Sequence, residues 1–464
     1  MKKIFSLIFF SFFCFYVCAD EEFTPEEQVI KTLELTRQNH QMAWPNLDLN
    51  DSPIILTFPA GEIYAIHLKT PRTAWKSNQL LGETVHFARE DLWKVTQLKL
   101  HPSFDIDGEN AFVFQMGNDE ETLRIFAHER FHRYQLRYFA PEEKPLGEYS
   151  DHFNPENLAL MKIEDAILEK FLKASKQEKL DLLKSYLSVY KERKKQISEN
   201  SIQWEDHQQK MEGLADYVSA KMFDGESQIL ANIKALSEDA DFSDYAIKWR
   251  HYSVGATLAF ALDFLEVKQW KERVEKGAFL SEILEESLSG MSQGGVEQVL
   301  ASYHYRELKE TMSLKVKEYH EQMRALFDRY QAIKGPILRL GHPKGIGISG
   351  GGTTQRLLSL ADGTTLSLND ESFSSTTDSQ WEFETLEVPF LIQNRAGFRE
   401  LKVGNQCCLT LNNEKFSLED LMQAPPGEYP FSTIALEGDH FKFSSKKHRG
   451  ALVCDGNTLF IRYF

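Results

Sequence analysis

Cysteine is nearly absent from this chain: there are five in 464 residues, and Cys14 and Cys18 sit near the N-terminus. A disulfide-stapled scaffold is therefore excluded, because such folds depend on dense, evenly paired cysteines. Of the remainder, Cys407 and Cys408 are adjacent and poor partners for one another; either is open to pairing with Cys454, and an odd count leaves at least one thiol free. Their strand-like apolar surroundings favour buried core thiols over a metal site. Positive charge is also scarce, with 53 Lys and Arg against 69 Asp and Glu and a net charge of −16. Nucleic acid rewards clustered cations, so it is excluded as a partner. The basic run Lys191–Lys195 reads as a helix end, where cations suit the carbonyl dipole. Beyond the N-terminus no uninterrupted apolar run approaches membrane-spanning length.

The N-terminus itself is apolar. Lys2 and Lys3 precede a phenylalanine-rich run from Ile4 to Ala19, and Asp20, Glu21 and Glu22 follow at once. This is the pattern of a cleaved secretory signal, residues 1–19, with a small residue at the cleavage point. A secreted or periplasmic chain follows, with no membrane span once the signal is removed. Losing two lysines makes the exported chain more acidic still.

His128-Glu129-Arg130-Phe131-His132 is an H-E-x-x-H pentapeptide. On a helix, side chains four apart share a face about one turn apart, so both imidazoles can reach one metal ion. Glu129 is then placed to take a proton from water on that metal. The surroundings predict the helix. Asp119, Glu120 and Glu121 supply acid to its start, and Leu123, Ala127, Phe131, Tyr134 and Tyr138 form an apolar stripe, with Ile125, Leu136 and Phe139 flanking the histidines. Asn110–Met116 reads as the preceding strand, placed as a sheet edge to bind a substrate backbone.

A catalytic zinc needs a third protein ligand and an open position. Gln135 and Tyr138 occupy the places where a metzincin would have glycine and histidine, so the ligand must come from elsewhere. Met211, Ala215, Val218 and Met222 form an apolar helical stripe that leaves Glu212 and Asp216 together on an adjoining face. Glu212 is the candidate ligand, and Asp216 a candidate acceptor for a ligand imidazole. His152 and His207 stand next in line should Glu212 lie elsewhere.

With these residues the chain resembles the gluzincins, zinc metallopeptidases in which H-E-x-x-H is followed on another helix by a ligand glutamate. The Glu-Gly-Leu-Ala-x-Tyr run around Glu212 is similar to the second motif of aminopeptidase-like and peptidase MA-like members. His251-Tyr252-Ser253-Val254-Gly255-Ala256 resembles the Tyr-x-x-Gly-Ala segment that follows the ligand helix in that group. The resemblance implies one zinc on His128, His132 and Glu212, with Tyr252 donating to the oxyanion; a buried tyrosine packed beside Trp249 is the competing reading of Tyr252. Two features depart from the family. About eighty residues separate His132 from Glu212, so a helical insertion must be accommodated, and the exopeptidase strand survives only as Gly108-Glu109-Asn110.

The expected fold is α+β: a zincin-like catalytic domain, with an N-terminal sheet and a helical lobe, then a β-rich C-terminal domain. Residues 20–117 carry strands at Ile54–Phe58, Gly61–Leu68 and Trp93–Leu100; residues 118–335 are helical; and residues 336–464 turn to short strands such as Thr364–Leu368, Val388–Ile392, Cys408–Leu411 and Leu459–Tyr463. Gly345–Gly350 matches G-x-G-x-x-G, but no helix or acidic ribose partner follows it, so no dinucleotide site is expected. The functional expectation is a secreted zinc-dependent peptidase acting on a peptide or protein substrate. The alternatives are a catalytically silent zincin-like protein, or an adhesin or wall-binding protein acting through its β domain. Intact Glu129 favours the enzyme.

Overall fold

The computed structural model describes residues 23–463, without 39, 59–60, 70–74, 90–99, 107, 118, 142–148, 224, 239–243, 290–294, 333–336, 341–347, 353–354, 360–363, 376–380, 394–397, 403–407, 418–426, 439–440, 446–449 and 456–457. The signal segment 1–19, most of the expected strand at 93–100, Gly345–Gly347 and Cys407 lie outside the described residues. The fold is mixed α+β, with an N-terminal sheet, a helical region and a C-terminal sheet region. In chain order the elements before the helical region are α1 (Pro25–Arg37), β1 (Ile54–Thr57), β2 (Glu62–Ile66), β3 (Lys76–Leu80), β4 (Glu83–Arg89), β5 (Leu100–Ile106) and β6 (Glu109–Gln115). Helices α2 (Glu120–Tyr138), α3 (Pro155–Lys173), α4 (Lys176–Lys194) and α5 (Glu199–Gln208) follow. A π turn, Gln209–Gly213, then leads into α6 (Leu214–Met222), α7 (Ser227–Glu238) and α8 (Asp244–Phe264). After α9 (Trp270–Glu275), α10 (Leu280–Leu288), α11 (Val296–Ser302) and α12 (Tyr305–Ala332), the remaining described strands run from Ile337 to Tyr463. Among the described residues no helix is long and apolar enough to cross a membrane.

The chain divides into two compact units. One is built from the chain up to Pro141, Leu214–Gln228 and Gln269–Ala278; the other holds Glu142–Gly213, Ile229–Lys268 and Phe279–Phe464.

In the first unit the sheet order is β3-β4-β2-β1-β6-β5. β1 is buried at every position, as its Ile-Ile-Leu-Thr sequence dictates, and pairs antiparallel with β2 and parallel with β6. Among the described residues β3 ends the sheet with an exposed, polar Lys-Ser-Asn-Gln-Leu strand, a composition that discourages further pairing. One expectation is corrected here. The strand at Asn110–Met116, realised as β6, is internal, because β5 pairs along its outer side; among the described residues β5 is the outer strand. β5 carries Pro102 at a register shift between His101 and Phe104, where a missing N–H is tolerated.

α2 lies against this sheet and against α6. Asp119 caps it by accepting from the Thr122 backbone N–H at 2.9 Å, and it stops at Phe139, two residues before Pro141. Phe126 meets Phe112 and Phe114 edge-on at 5.8 and 5.7 Å, while Phe131 packs edge-on against Trp44 at 5.1 Å. Trp44 also meets Trp270 of α9, and its indole N–H donates to Glu275. Ile125 and Leu136, read from the sequence as apolar residues flanking the histidines, are exposed at 43% and 71%; the helix keeps that face outward.

In the second unit a buried ionic cluster joins α3, α4, α5 and α8. The Arg193 guanidinium donates to Glu164 and, with two nitrogens, to Glu205, each at 2.7 Å. Arg250 donates to Glu164 and Asp165, each at 2.8 Å. Asn157 and Tyr149 complete the shell, Asn157 accepting from Arg193 and Tyr149 donating to Glu205. Burial alone would raise the Glu205 carboxyl, but the charge and hydrogen bonds of Arg193, with the neighbouring His251 and Arg250, together outweigh it and hold the group down to about 2. Around this cluster the stretch 250–262 of α8 is buried on all sides, with Val254, Ala256, Thr257, Leu258, Ala259, Ala261 and Leu262 all fully enclosed.

The C-terminal strands form one hydrogen-bonded sheet in the same unit. Its longest pair, Thr364–Ser375 with Trp381–Gln393, extends each of the two shorter strands expected there, running through a bulge between Asn369 and Glu371. Cys408 is exposed and Cys454 buried, so the expectation of a buried thiol holds for Cys454 and fails for Cys408.

Two stability predictions concern the buried charges of this unit. Arg193→Met leaves Glu205 in the interior without the guanidinium that grips it, and Glu164 with Arg250 alone, and should cost about 3–5 kcal/mol in urea unfolding. Lys173→Ala, which removes an exposed pair with Glu169, should cost under about 1 kcal/mol. The second concerns Asp206, which accepts from Ser281 and Tyr190. Burial, opposed by Lys194 and those hydrogen bonds, pushes its carboxyl up from 3.8 to about 6. The folded state thus holds this proton more tightly than the unfolded chain; the stability is full below about pH 4 and declines as pH rises through 6. Asp206→Asn should raise the thermal midpoint relative to wild type more at pH 7 than at pH 4.

Candidate metal centre

The candidate centre stands on α2. Within His128–His132 the two middle residues are the anchors: Arg130 and Phe131 are 2% and 0% exposed, while His128, Glu129 and His132 are partly buried. Arg130 donates to Ser52 and to Asp51 at 3.0 and 2.8 Å, bonds the Leu49 carbonyl, and lies over the Phe112 ring. Arg133 and Arg137 also face Asp51, at 3.7 and 2.6 Å. One face of α2 is therefore fixed to the segment before β1 by charge, and another to Trp44 by aromatic packing. The histidines occupy what remains.

α6 supplies the next part. Ser219 donates to the Arg124 carbonyl at 2.9 Å, tying α6 to a backbone position one turn before His128. Asp216, three residues before Ser219, accepts from His128 Nδ1 at 2.7 Å. His132 Nδ1 meets the side-chain oxygen of Gln135, also at 2.7 Å. A carboxylate and an amide oxygen only accept, so both rings carry their hydrogen on Nδ1. In its neutral form each ring then presents a lone pair on Nε2, and the two Nε2 atoms face one another at 3.0 Å. Two lone pairs at this separation repel unless a cation or a proton lies between them. Two ligand nitrogens at zinc distances of about 2.05 Å in a tetrahedron would stand about 3.3 Å apart, so the donor set fits such an ion within a few tenths of an ångström. Among the described residues, the ligand atoms of His128, Glu129 and His132 converge within 4.8 Å of one another.

The structure thus brings His128, Glu129, His132 and Asp216 together in the first unit. Glu212 and Tyr252 belong to the second. Glu212 lies on the π turn Gln209–Gly213, with Oε1 3.5 Å from the Lys248 ammonium. Tyr252 is buried on α8, its ring 4.6 Å from Trp249 and beneath Lys248 at 5.6 Å. The packing against Trp249 is the one read from the sequence as the alternative to a catalytic role. Gln135 was missed as a participant; its i+3 spacing from His132 was the available signal.

No family model, curated protein or solved structure matches this chain. The functional reading therefore rests on the geometry of its own residues.

In nitrogen-15 spectra of metal-free protein, His128 and His132 should both show the Nδ1–H tautomer. Asp216→Ala should shift His128 toward the Nε2–H form and leave His132 unchanged. Equal shifts in both rings would contradict separate acceptors.

Proposed function

We propose that this protein is an exported, zinc-dependent peptidase of gluzincin type, with a zincin-like catalytic region and a β-rich C-terminal part. The observation that carries the reading is the pair of rings on α2, each held through Nδ1–H by its own acceptor so that the Nε2 lone pairs converge beside Glu129. A pair of histidines packed for structure alone has no need of that orientation.

In this reading His128, His132 and Glu212 hold the ion, and Asp216 fixes the His128 ring. Glu212 precedes Asp216 by four residues in a continuous helical run, which supports assigning the third ligand to it. Zinc, when bound, supplies the Lewis acid that polarises a carbonyl and acidifies water. Glu129 accepts the proton of the attacking water and passes it to the leaving amine as the C–N bond breaks. Tyr252 donates to the oxyanion that forms as water adds, a hydrogen bond made only in the transition state. The substrate is a peptide or protein. The apolar leader before Asp20 supports export to a secreted or periplasmic location.

Elemental analysis should find one zinc per chain, lost in His128→Ala and His132→Ala. An absence of zinc, persisting after addition of the metal, would sink the reading. Glu129→Gln should keep its zinc and lose nearly all turnover against a peptide library, because an amide cannot take the proton; wild-type rates in that variant would exclude Glu129 as the base. Tyr252→Phe should lower kcat about 10²–10³-fold with KM, zinc content and Tm nearly unchanged. If the loss in that variant followed unfolding instead, Tyr252 would be a core residue.

A further inference from the structure

Between α5 and α6 the helical run departs from α geometry. Gln209–Gly213 is a π turn, one residue longer per turn than its neighbours, and it carries Glu212. Such turns are uncommon because the α ladder is the default, so the surroundings must hold them open. Three contacts within the second unit do so. A Cβ built on Gly255 of α8 would meet the Gln209 carbonyl oxygen at 2.5 Å and its Cα at 2.7 Å. A Cβ on Gly213 would meet the Gly255 Cα at 2.6 Å. Backbone thus lies on backbone at both ends of the turn, and only glycine permits it. The third contact is polar. The Gln209 side-chain amide lies 3.1 Å from His251 Nδ1 and donates to it, so that ring is neutral with its hydrogen on Nε2.

His251 is fully buried, and among the described residues its Nε2 has no hydrogen-bond partner; Glu205 stands 3.8 Å away, beyond bonding reach. The ring is wedged between Gln209 and the carboxylate that Arg193 grips with two nitrogens. Arg193, Glu164 and Arg250 extend the same cluster into α3, α4 and back to α8. A buried imidazole with one unmet hydrogen is expensive for packing alone, since an apolar ring would fill the space without loss.

We propose that Gln209, His251 and Gly255 are positioning residues that lock Gln209–Gly213 as a π turn and thereby fix the direction of the Glu212 carboxylate. The proposal rests on the reading of Glu212 as a metal ligand. Its consequence is that zinc affinity depends on a side chain that never touches the metal. The ionic cluster is the rigid base, His251 transmits that rigidity, and Gln209 applies it three residues before Glu212.

Gly255→Ala drives a methyl into the Gln209 backbone and endangers the whole helical lobe, so the decisive variant is Gln209→Leu, which keeps the volume and removes the hydrogen bond. Zinc affinity is measured by chelator competition for wild type, Gln209→Leu, Glu212→Ala and the double variant, and amide exchange is followed on the zinc-free chains. Gln209→Leu should weaken zinc about 10–100-fold, the usual effect of losing a support behind a ligand. It should also speed exchange at 209–214 while α3 and α4 stay protected. With Glu212 already removed, Gln209→Leu should cost no further affinity, because its effect passes through that carboxylate. An equal loss of affinity in both backgrounds would make Gln209 merely structural and overturn the proposal, as would unchanged affinity with unchanged exchange. Failure of the wild-type chain to bind zinc would overturn the ligand reading instead, an outcome distinct from either of these.

Discussion

Two rings can be aimed at one point only if the helix that carries them cannot roll, and the first unit is organised around preventing that roll. α2 presents phenylalanine, arginine and histidine to different directions within a little over one turn. Phe126 is held by the sheet through Phe112 and Phe114, Phe131 by Trp44, and Arg130 by Asp51 and the Ser52 hydroxyl. Aromatic contacts alone would tolerate rotation by a few degrees, because dispersion is not directional. The Arg130 hydrogen bonds are directional, and they sit between His128 and His132 in the chain. The rings therefore inherit the precision of an arginine fork. Asp216 and Gln135 then set the remaining freedom, the spin of each ring about its own axis.

Much of this was legible in the sequence, and the reasons are particular. The helix start at Asp119 and the stop before Pro141 are local chemistry, which a chain writes directly into its residues. The strands at Ile54–Thr57 and Cys408–Leu411 are short apolar or alternating runs bounded by turn residues. The pairing order of the sheet was not legible. β6 reads as a plausible edge, and only long-range pairing reveals β5 on its outer side, next to residues whose polar sequence and Pro102 disguise a strand. The exposure of Ile125 and Leu136 was not legible for a related reason: an apolar side chain at helical spacing predicts a face, yet burial depends on what arrives to cover it.

The candidate site divides in the same way. H-E-x-x-H and the Glu212–Asp216 spacing are one-dimensional signals, and Gln135 was readable in principle. The ionic cluster of Arg193, Glu205, Glu164, Arg250 and Asp165 was not, since its members come from four helices and each looks like an ordinary surface charge in its own amphipathic run. In an acidic chain, buried and solvated carboxylates carry the same letters. The π turn was equally hidden, for its cause is a glycine on another helix.

That cluster has a consequence for how the sequence can drift. Its charges are satisfied collectively, so a neutral replacement at any one position takes a partner from a neighbouring charge held away from water. A path to an apolar core of equal stability exists in principle, but it runs through intermediates that are each several kcal/mol less stable than either end. Chance substitution explores such a path one residue at a time and is turned back at the first step. The five positions should therefore behave as a single inherited character, retained or exchanged together, even where the helices around them have diverged beyond alignment.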